Sequence, residues 1–212
     1  HYLCAQNPNK MMKKLQNIFI LTALLIAVGC TQSPTATIEG HISEAAGKTL
    51  FLDRIDVDRI VTSDSVKLND EGDFRFRVAE PECFDFYRLR IGKEMVYLSV
   101  DSTETLQVTA ALPAMSAAYQ VEGSEDKLML KKLVNKQSEL QYAVQNLVRN
   151  SGPEIGITQA RIDTLVQRYK REVRMEYIYA DPGKPYAYFA LFQRLGGSLI
   201  FDPLTTRDDV RC

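Results

Sequence analysis

Only two histidines occur in the chain, His1 and His41, and His41 has Ser43 and Asp53 close behind it. A Ser/His/Asp set needs an imidazole to take the hydroxyl proton and a carboxylate to orient the ring. His41, however, sits among alternating strand residues, where a solvated or hydrogen-bonded ring is the plainer expectation. One such histidine and dispersed cysteines cannot supply the ligands of a zinc site. Asp53, Asp56 and Asp58 crowd into Asp53-Arg54-Ile55-Asp56-Val57-Asp58-Arg59. Carboxylates bind calcium, but an EF-hand loop needs a glycine and a distant glutamate at fixed spacing. Neither fits, and Arg54 and Arg59 neutralise the cluster, so a solvated hairpin is expected. Of the four cysteines, Cys4, Cys30, Cys83 and Cys212, no two form Cys-x-x-Cys, so the chain holds no redox motif. Cys83, in Pro81-Glu82-Cys83-Phe84, is expected as a small buried or half-buried hydrophobe, and a Cys83–Cys212 bridge is not expected. These residues yield no catalytic, cofactor-binding or metal-ligating position. Cys30 alone is assigned a chemistry, argued below.

Two further groups could meet a ligand. Arg161, Arg168, Lys170, Arg171 and Arg174 share a helix face with Glu172 and Glu176, and ion pairs on a solvated face are expected. Tyr177, Tyr179, Tyr186, Tyr188, Phe189 and Phe192 form an aromatic run. It reads as a ligand platform or as helix packing, and packing is expected.

The elements that must position these residues change period midway. From Ala36 to Gly123, apolar and polar residues alternate in short runs, most strictly in Phe74-Arg75-Phe76-Arg77-Val78. Ile60–Leu68, the turn Asn69–Gly72 and Phe74–Val78 read as a hairpin. Seven or eight strands about ten residues apart favour an antiparallel sandwich or barrel with one wet face per sheet. From Ser124 the period becomes helical. Leu130, Leu133, Val134, Leu140, Val144, Leu147 and Val148 stripe a helix capped by Ser124 and ending near Arg149. Asn150-Ser151-Gly152-Pro153 stops it. A second helix from about Thr158 to Ala180 carries Ile162, Leu165, Val166, Tyr169, Val173 and Tyr177. A third runs from Tyr186 to Leu195, ended by Gly196-Gly197, and Thr205–Asp209 reads as the cap of a fourth. The fold class is therefore α+β: an N-terminal antiparallel β-sandwich or barrel-like domain of seven to eight strands, then an antiparallel helical hairpin and further short helices.

The first thirty residues read as outside that fold. Met11-Met12-Lys13-Lys14 is a positive start, Ile18–Val28 is apolar, and Gly29-Cys30 ends the run. A charged start, a short apolar stretch and small residues at the cut describe a secretory signal. The run is shorter than the roughly 20 residues of a membrane-spanning helix. Ala27-Val28-Gly29-Cys30 resembles the lipobox read by bacterial lipoprotein signal peptidase. That resemblance implies diacylglyceryl transfer to the Cys30 sulfur, cleavage before Cys30, and anchoring through acyl chains. The expected divisions are 1–10 upstream extension, 11–29 signal peptide, 30–36 lipidated tether, 37–123 β domain and 124–212 helical region. The 182 residues that follow Cys30 carry 23 basic against 27 acidic side chains, a formal charge of −4. That mild acidity gives no sign of a nucleic-acid partner.

A lipobox, a sheet domain opening Thr37-Ile38-Glu39-Gly40, then Asn69-Asp70-Glu71-Gly72-Asp73-Phe74-Arg75-Phe76, Ser124-Glu125-Asp126 and Asp181-Pro182…Pro185-Tyr186-Ala187-Tyr188-Phe189-Ala190-Leu191 follow in order. This layout, over about residues 12–211, resembles the N-terminal region, a domain of unknown function, of envelope lipoproteins whose C-terminal domain is a thioredoxin-like, TlpA-type thiol–disulfide oxidoreductase. The thioredoxin-like domain is not in this chain, and no family cysteine transfers to Cys83 or Cys212. The resemblance implies a non-catalytic, membrane-tethered accessory region of a periplasmic oxidoreductase lipoprotein, anchored at the outer membrane facing the periplasm. It implies no cofactor for this chain, and a protein partner or a homodimer. The capped turn at Thr205–Asp209 carries the expectation that the intact gene continues into the redox domain. The alternative is a stand-alone envelope lipoprotein that binds a glycan or a peptide on its sandwich. An aromatic or polar cleft on the sheet favours that reading; an open face of only Arg, Lys and Glu disfavours it.

Overall fold

A strand with every second residue apolar has one face to bury, and two such sheets laid face to face satisfy each other. The structure, a computed structural model, describes residues 35–123, 125–150 and 155–201. Every described residue belongs to one compact unit. The first sheet takes β1 (Thr35–Ser43), β4 (Asp73–Ala79), β7 (Thr105–Ala111) and β8 (Gln120–Glu122) in the order β4-β1-β7-β8. The second takes β2 (Thr49–Ile55), β3 (Ile60–Lys67), β5 (Asp85–Ile91) and β6 (Glu94–Val100) in the order β3-β2-β5-β6. All pairings are antiparallel except β1 with β7, and the two sheets do not close into a barrel. Ile38, Phe76 and Val108 from one sheet and Leu52, Leu89 and Val96 from the other share one buried core.

The parallel β1–β7 pair explains Gly40. It lies opposite Val108, and a Cβ there would fall 1.8 Å from the Val108 carbonyl oxygen at a φ of +155°. Only glycine fits that approach.

The expected hairpin around Asn69–Gly72 does not form. β3 pairs with β2 and β4 pairs with β1, so the turn carries the chain from one sheet to the other. β3 is exposed along almost its whole length and has no apolar face to continue. β4 instead sets Phe76 opposite Ile38, where both side chains reach the core.

After β7 comes a short helix that the sequence pattern did not announce, α1 (Met115–Ala118), then β8. Two long helices follow, α2 (Glu125–Arg149) and α3 (Ile155–Val173). α3 widens into a π turn over Arg174–Ile178, marked by Tyr179 N–H donating to the Arg174 carbonyl at 2.8 Å. Within this turn both Tyr177 and Ile178 face inward. α4 (Pro185–Leu191) starts on a proline at its first turn and ends before Phe192. Its expected continuation to Leu195 is replaced by a small hairpin, β9 (Arg194–Leu195) with β10 (Ser198–Leu199). Gly196 and Gly197, at φ 59° and 89°, turn that hairpin, and two positive φ values are what a tight two-residue turn requires.

The helices build a second core on the outer face of the β3-β2-β5-β6 sheet. Leu130 and Leu133 of α2, Tyr169 and Val173 of α3, and Ala187 and Ala190 of α4 cluster with Phe86 of β5. That sheet is therefore covered on both sides over part of its area, not wet on one. Lys127, buried near the start of α2, pins the helix to the β6–β7 loop through Asp101 at 3.2 Å and Glu104 at 2.7 Å. Among the described residues no helix is long and apolar enough to cross a membrane. The export segment, Cys30, Cys212, the Ser124 cap, the Ser151–Pro153 stop and the Thr205–Asp209 cap lie outside the described residues.

Candidate functional site

β5 and β6 point Tyr87, Leu89, Val96 and Leu98 into the sandwich, so alternation turns Phe86 and Tyr97 outward. At the same end of the sheet, the β2–β3 turn is closed by Asp56 N–H donating to the Arg59 carbonyl at 2.9 Å. Arg54 and Arg59 both pair with the Asp56 carboxylate, at 3.3 and 3.5 Å. From the helical side, α4 and the residues after it bring Tyr188, Phe189, Phe192 and Gln193. Between the sheet, the turn and the helices lies a cleft of about 560 Å³, within the size range of small-ligand sites.

The rings of this cleft pack against one another as well as lining it. Phe189 meets Phe86 at 5.2 Å and Tyr97 at 5.9 Å, both edge to face. Tyr188 meets Phe192 at 4.9 Å and lies parallel to Phe86 at 6.3 Å. Val57 and Ile60, on the rim, are 59% and 48% exposed, so the apolar surface continues out of the cleft. The lining charges are Asp56, Asp58, Arg59 and Arg194, two of each sign.

Gln193 is the informative polar group. It lines the cleft at 3% exposure; its Oε1 accepts from the Tyr169 hydroxyl at 2.5 Å, and its Nε2 has no partner among the described residues. Burial pushes the Tyr169 phenol above its ordinary pKa, so it stays protonated and able to donate. The Tyr169 hydroxyl occupies one end of the amide, and the other, the NH₂, has no partner among the described residues. A buried donor without an acceptor carries a desolvation penalty of about 1–3 kcal/mol, which a ligand carbonyl or hydroxyl would relieve if the side chain turned its NH₂ into the cleft.

The other candidates separate. His41 Nε2 lies 3.0 Å from Ser43 Oγ, and Nδ1 lies 3.2 Å from Asp73 Oδ1. The carboxylate is Asp73, not Asp53, because the β1–β4 register sets Asp73 opposite His41 while Asp53 lies in the other sheet. The His41 and Asp73 side chains are 42% and 60% exposed, without the water exclusion that nucleophilic catalysis uses. Asp53 leaves the Asp56–Asp58 turn altogether. It is 1% exposed on β2, taking hydrogen bonds from Arg88 at 2.7 Å, Arg90 at 2.9 Å and Thr62 at 2.6 Å. Burial pushes its carboxyl up, but Arg90, Thr62 and Arg88 outweigh that and hold it well below the usual carboxylate range. Among the described residues, no three His, Cys, Asp or Glu converge as a metal group would.

Cys83 corrects the expectation of a buried thiol: it is exposed and free. Phe84 turns inward in its place, packing on Phe86 and Tyr188 at 5.5 and 5.4 Å. The glutamates of α3 pair across the helical hairpin, Lys136 of α2 holding Glu172 at 2.7 Å and Glu176 at 3.5 Å. The aromatic run divides. Tyr177 and Tyr186 meet edge to face in the helical core, whereas Tyr188, Phe189 and Phe192 line the cleft. Sequence reasoning missed Phe86, Tyr97 and Gln193. The available signal was aromatic residues at outward positions of β5 and β6, where charged side chains were expected.

Two other hollows exist. One of about 390 Å³ lies between the β3 and β4 edges of the sandwich. One of about 790 Å³ lies along the far end of the helical hairpin, between Leu147, Ile157 and Leu165. The latter is the part of the two helix stripes that no third element covers among the described residues.

Compared with protein-family models the chain matches none, and no curated protein matches it.

Proposed function

We propose that the chain is the non-catalytic, membrane-tethered accessory region of an envelope thiol–disulfide oxidoreductase lipoprotein, and that it holds a ligand in the aromatic cleft. The tether is Cys30, acylated within Ala27-Val28-Gly29-Cys30, at the outer membrane facing the periplasm. The accessory role rests on the resemblance of the whole layout. The ligand-holding role rests on one observation: an apolar cleft of about 560 Å³ that contains a buried, unpartnered Gln193 donor. An aromatic lining with a few placed polar groups is the usual make-up of a binding site. A neutral balance of lining charge disfavours strongly anionic ligands and is compatible with peptides and glycans. The same cleft serves the second reading, a stand-alone envelope binding module, without any redox domain.

The test is a titration of the purified full chain with peptides and with oligosaccharides. Tyrosine emission reports occupancy, because Tyr97 and Tyr188 line the cleft and the chain has no tryptophan. A saturable change with either ligand class, lost on Val57→Asp, is expected. No saturable change, or one that survives Val57→Asp, contradicts the cleft as the site.

A further inference from the structure

We infer that the ligand of the cleft is a polypeptide, seated by one apolar or aromatic side chain, with the Gln193 amide turning from its buried position so that Nε2 donates to the adjacent backbone carbonyl. This rests on the cleft being a binding site, as proposed above. Three observations favour a peptide over a glycan.

The first is ring geometry. Phe86, Tyr97 and Phe189 present edges to one another, at interplanar angles of 60° and 68°. Tyr188 is braced by Phe84 at 64° and by Phe192 at 47°. A sugar ring needs a broad, open aromatic face with hydroxyl partners around it. A socket of mutually packed rings suits a compact apolar group, which gains from burial whatever its orientation.

The second is the polar inventory. Asp56 is held by Arg54 and Arg59, and Gln137 donates to the Arg194 carbonyl at 2.9 Å. Those groups already have partners within the protein. Gln193 Nε2, at the buried side, does not. Asp58 and Tyr188 also line the cleft, but both are exposed to solvent. Its buried part offers an apolar socket beside one unpartnered donor, which matches a side chain and the carbonyl of the same stretch of backbone, while a glycan brings several hydroxyls to every face.

The third is continuity. Ile60, on the rim, begins β3, and β3 is an edge of its sheet that no other strand among the described residues pairs. The register of β2 and β3 shifts between Leu52 and Asp53, opposite Thr62–Asp64, so the regular part of the edge nearest the cleft is Ile60–Val61. A peptide leaving the socket meets unpaired backbone groups there, the usual footing for strand addition.

The experiment titrates the full chain by calorimetry with acetylated, amidated pentapeptides Gly-Ser-X-Ser-Gly, X being Phe, Leu or Ser. Cello- and chito-oligosaccharides form the second arm. The expected result is binding of the Phe and Leu peptides and weakening of roughly ten-fold or more for Ser. Gln193→Met weakens the Phe peptide roughly five- to ten-fold, the worth of one hydrogen bond. Val57→Asp, an exposed substitution that leaves the core intact, abolishes peptide binding. Oligosaccharide binding lost in Val57→Asp, with no peptide binding, overturns the inference but leaves the binding-module reading standing. Binding of neither class overturns both. Peptide affinity indifferent to X, or unchanged in Gln193→Met, overturns the seating described here.

Discussion

Asp53 is a carboxylate that only its partners keep charged in a dry place. Arg88 and Arg90, 17% and 25% exposed, close over it on the sheet surface. Removing one member of such a set leaves charges buried without compensation, so Asp53→Asn should destabilise the fold by roughly 3 kcal/mol. The pH dependence follows from the direction of the shift. The folded carboxyl titrates below its ordinary value of 3.8, so as pH falls the unfolded chain takes up the proton first. The stabilisation is complete above about pH 4 and drains away below it. Urea unfolding of wild type and Asp53→Asn from pH 7 down to 3 should show a constant gap that narrows only under pH 4. A gap that widens on acidification would contradict the assignment. The sequence displayed this aspartate, but in the company of Asp56 and Asp58, because neighbours in sequence are not neighbours across a sheet. Burial of Asp53 depends on Arg88 and Arg90, some 35 residues away. Cys83 misled for a related reason: which residue of a loop turns inward is decided by the rings waiting for it, here Phe86 and Tyr188.

Among the elements, strands and helices were legible where the period is local. β4 buries Phe74, Phe76 and Val78 and exposes Asp73, Arg75, Arg77 and Ala79, the alternation written in its sequence. The leading part of the α2 stripe, Leu130, Leu133, Val134 and Leu140, is buried as its spacing implies. Pairing was less legible, because a turn has no local mark for whether its strands share a sheet, as Asn69–Gly72 demonstrates. The π turn and the short α1 were equally hidden, being set by what they pack against. The β1–β7 pairing gives a sharp test. Gly40→Ala places a methyl against the Val108 carbonyl and should destabilise the fold by roughly 2–3 kcal/mol, measured by chemical denaturation. Gly47→Ala meets no atom within 4 Å and adds only the strain of its φ of +69°, so its effect should be smaller. Equal effects at the two positions would argue against the parallel register.

At the scale of the whole molecule, the α+β layout was readable because two periods occupy two lengths of chain. The cleft was not, since it arises where the outward aromatics of one element meet the end of another, and no pattern within either announces it. Two predictions belong here. Mass spectrometry of the protein recovered from membranes should find an acylated Cys30 at its N-terminus, and Cys30→Ala should release it to the soluble fraction; an unmodified Cys30 in membrane-bound protein would refute the tether. The chain itself should reduce insulin disulfides no faster than a free thiol, since exchange catalysis wants an activated thiolate with a resolving partner nearby. Turnover well above that rate would overturn the non-catalytic assignment.

The central claim, that the cleft holds the ligand, is most directly tested by following backbone amide resonances of the full chain during titration with the Phe-containing peptide. Shifts confined to 55–60, 86, 97 and 188–194 are predicted, saturating together with one dissociation constant. Shifts centred on the far end of the helical hairpin, around 143–168, or no saturable shifts at all, would contradict the account.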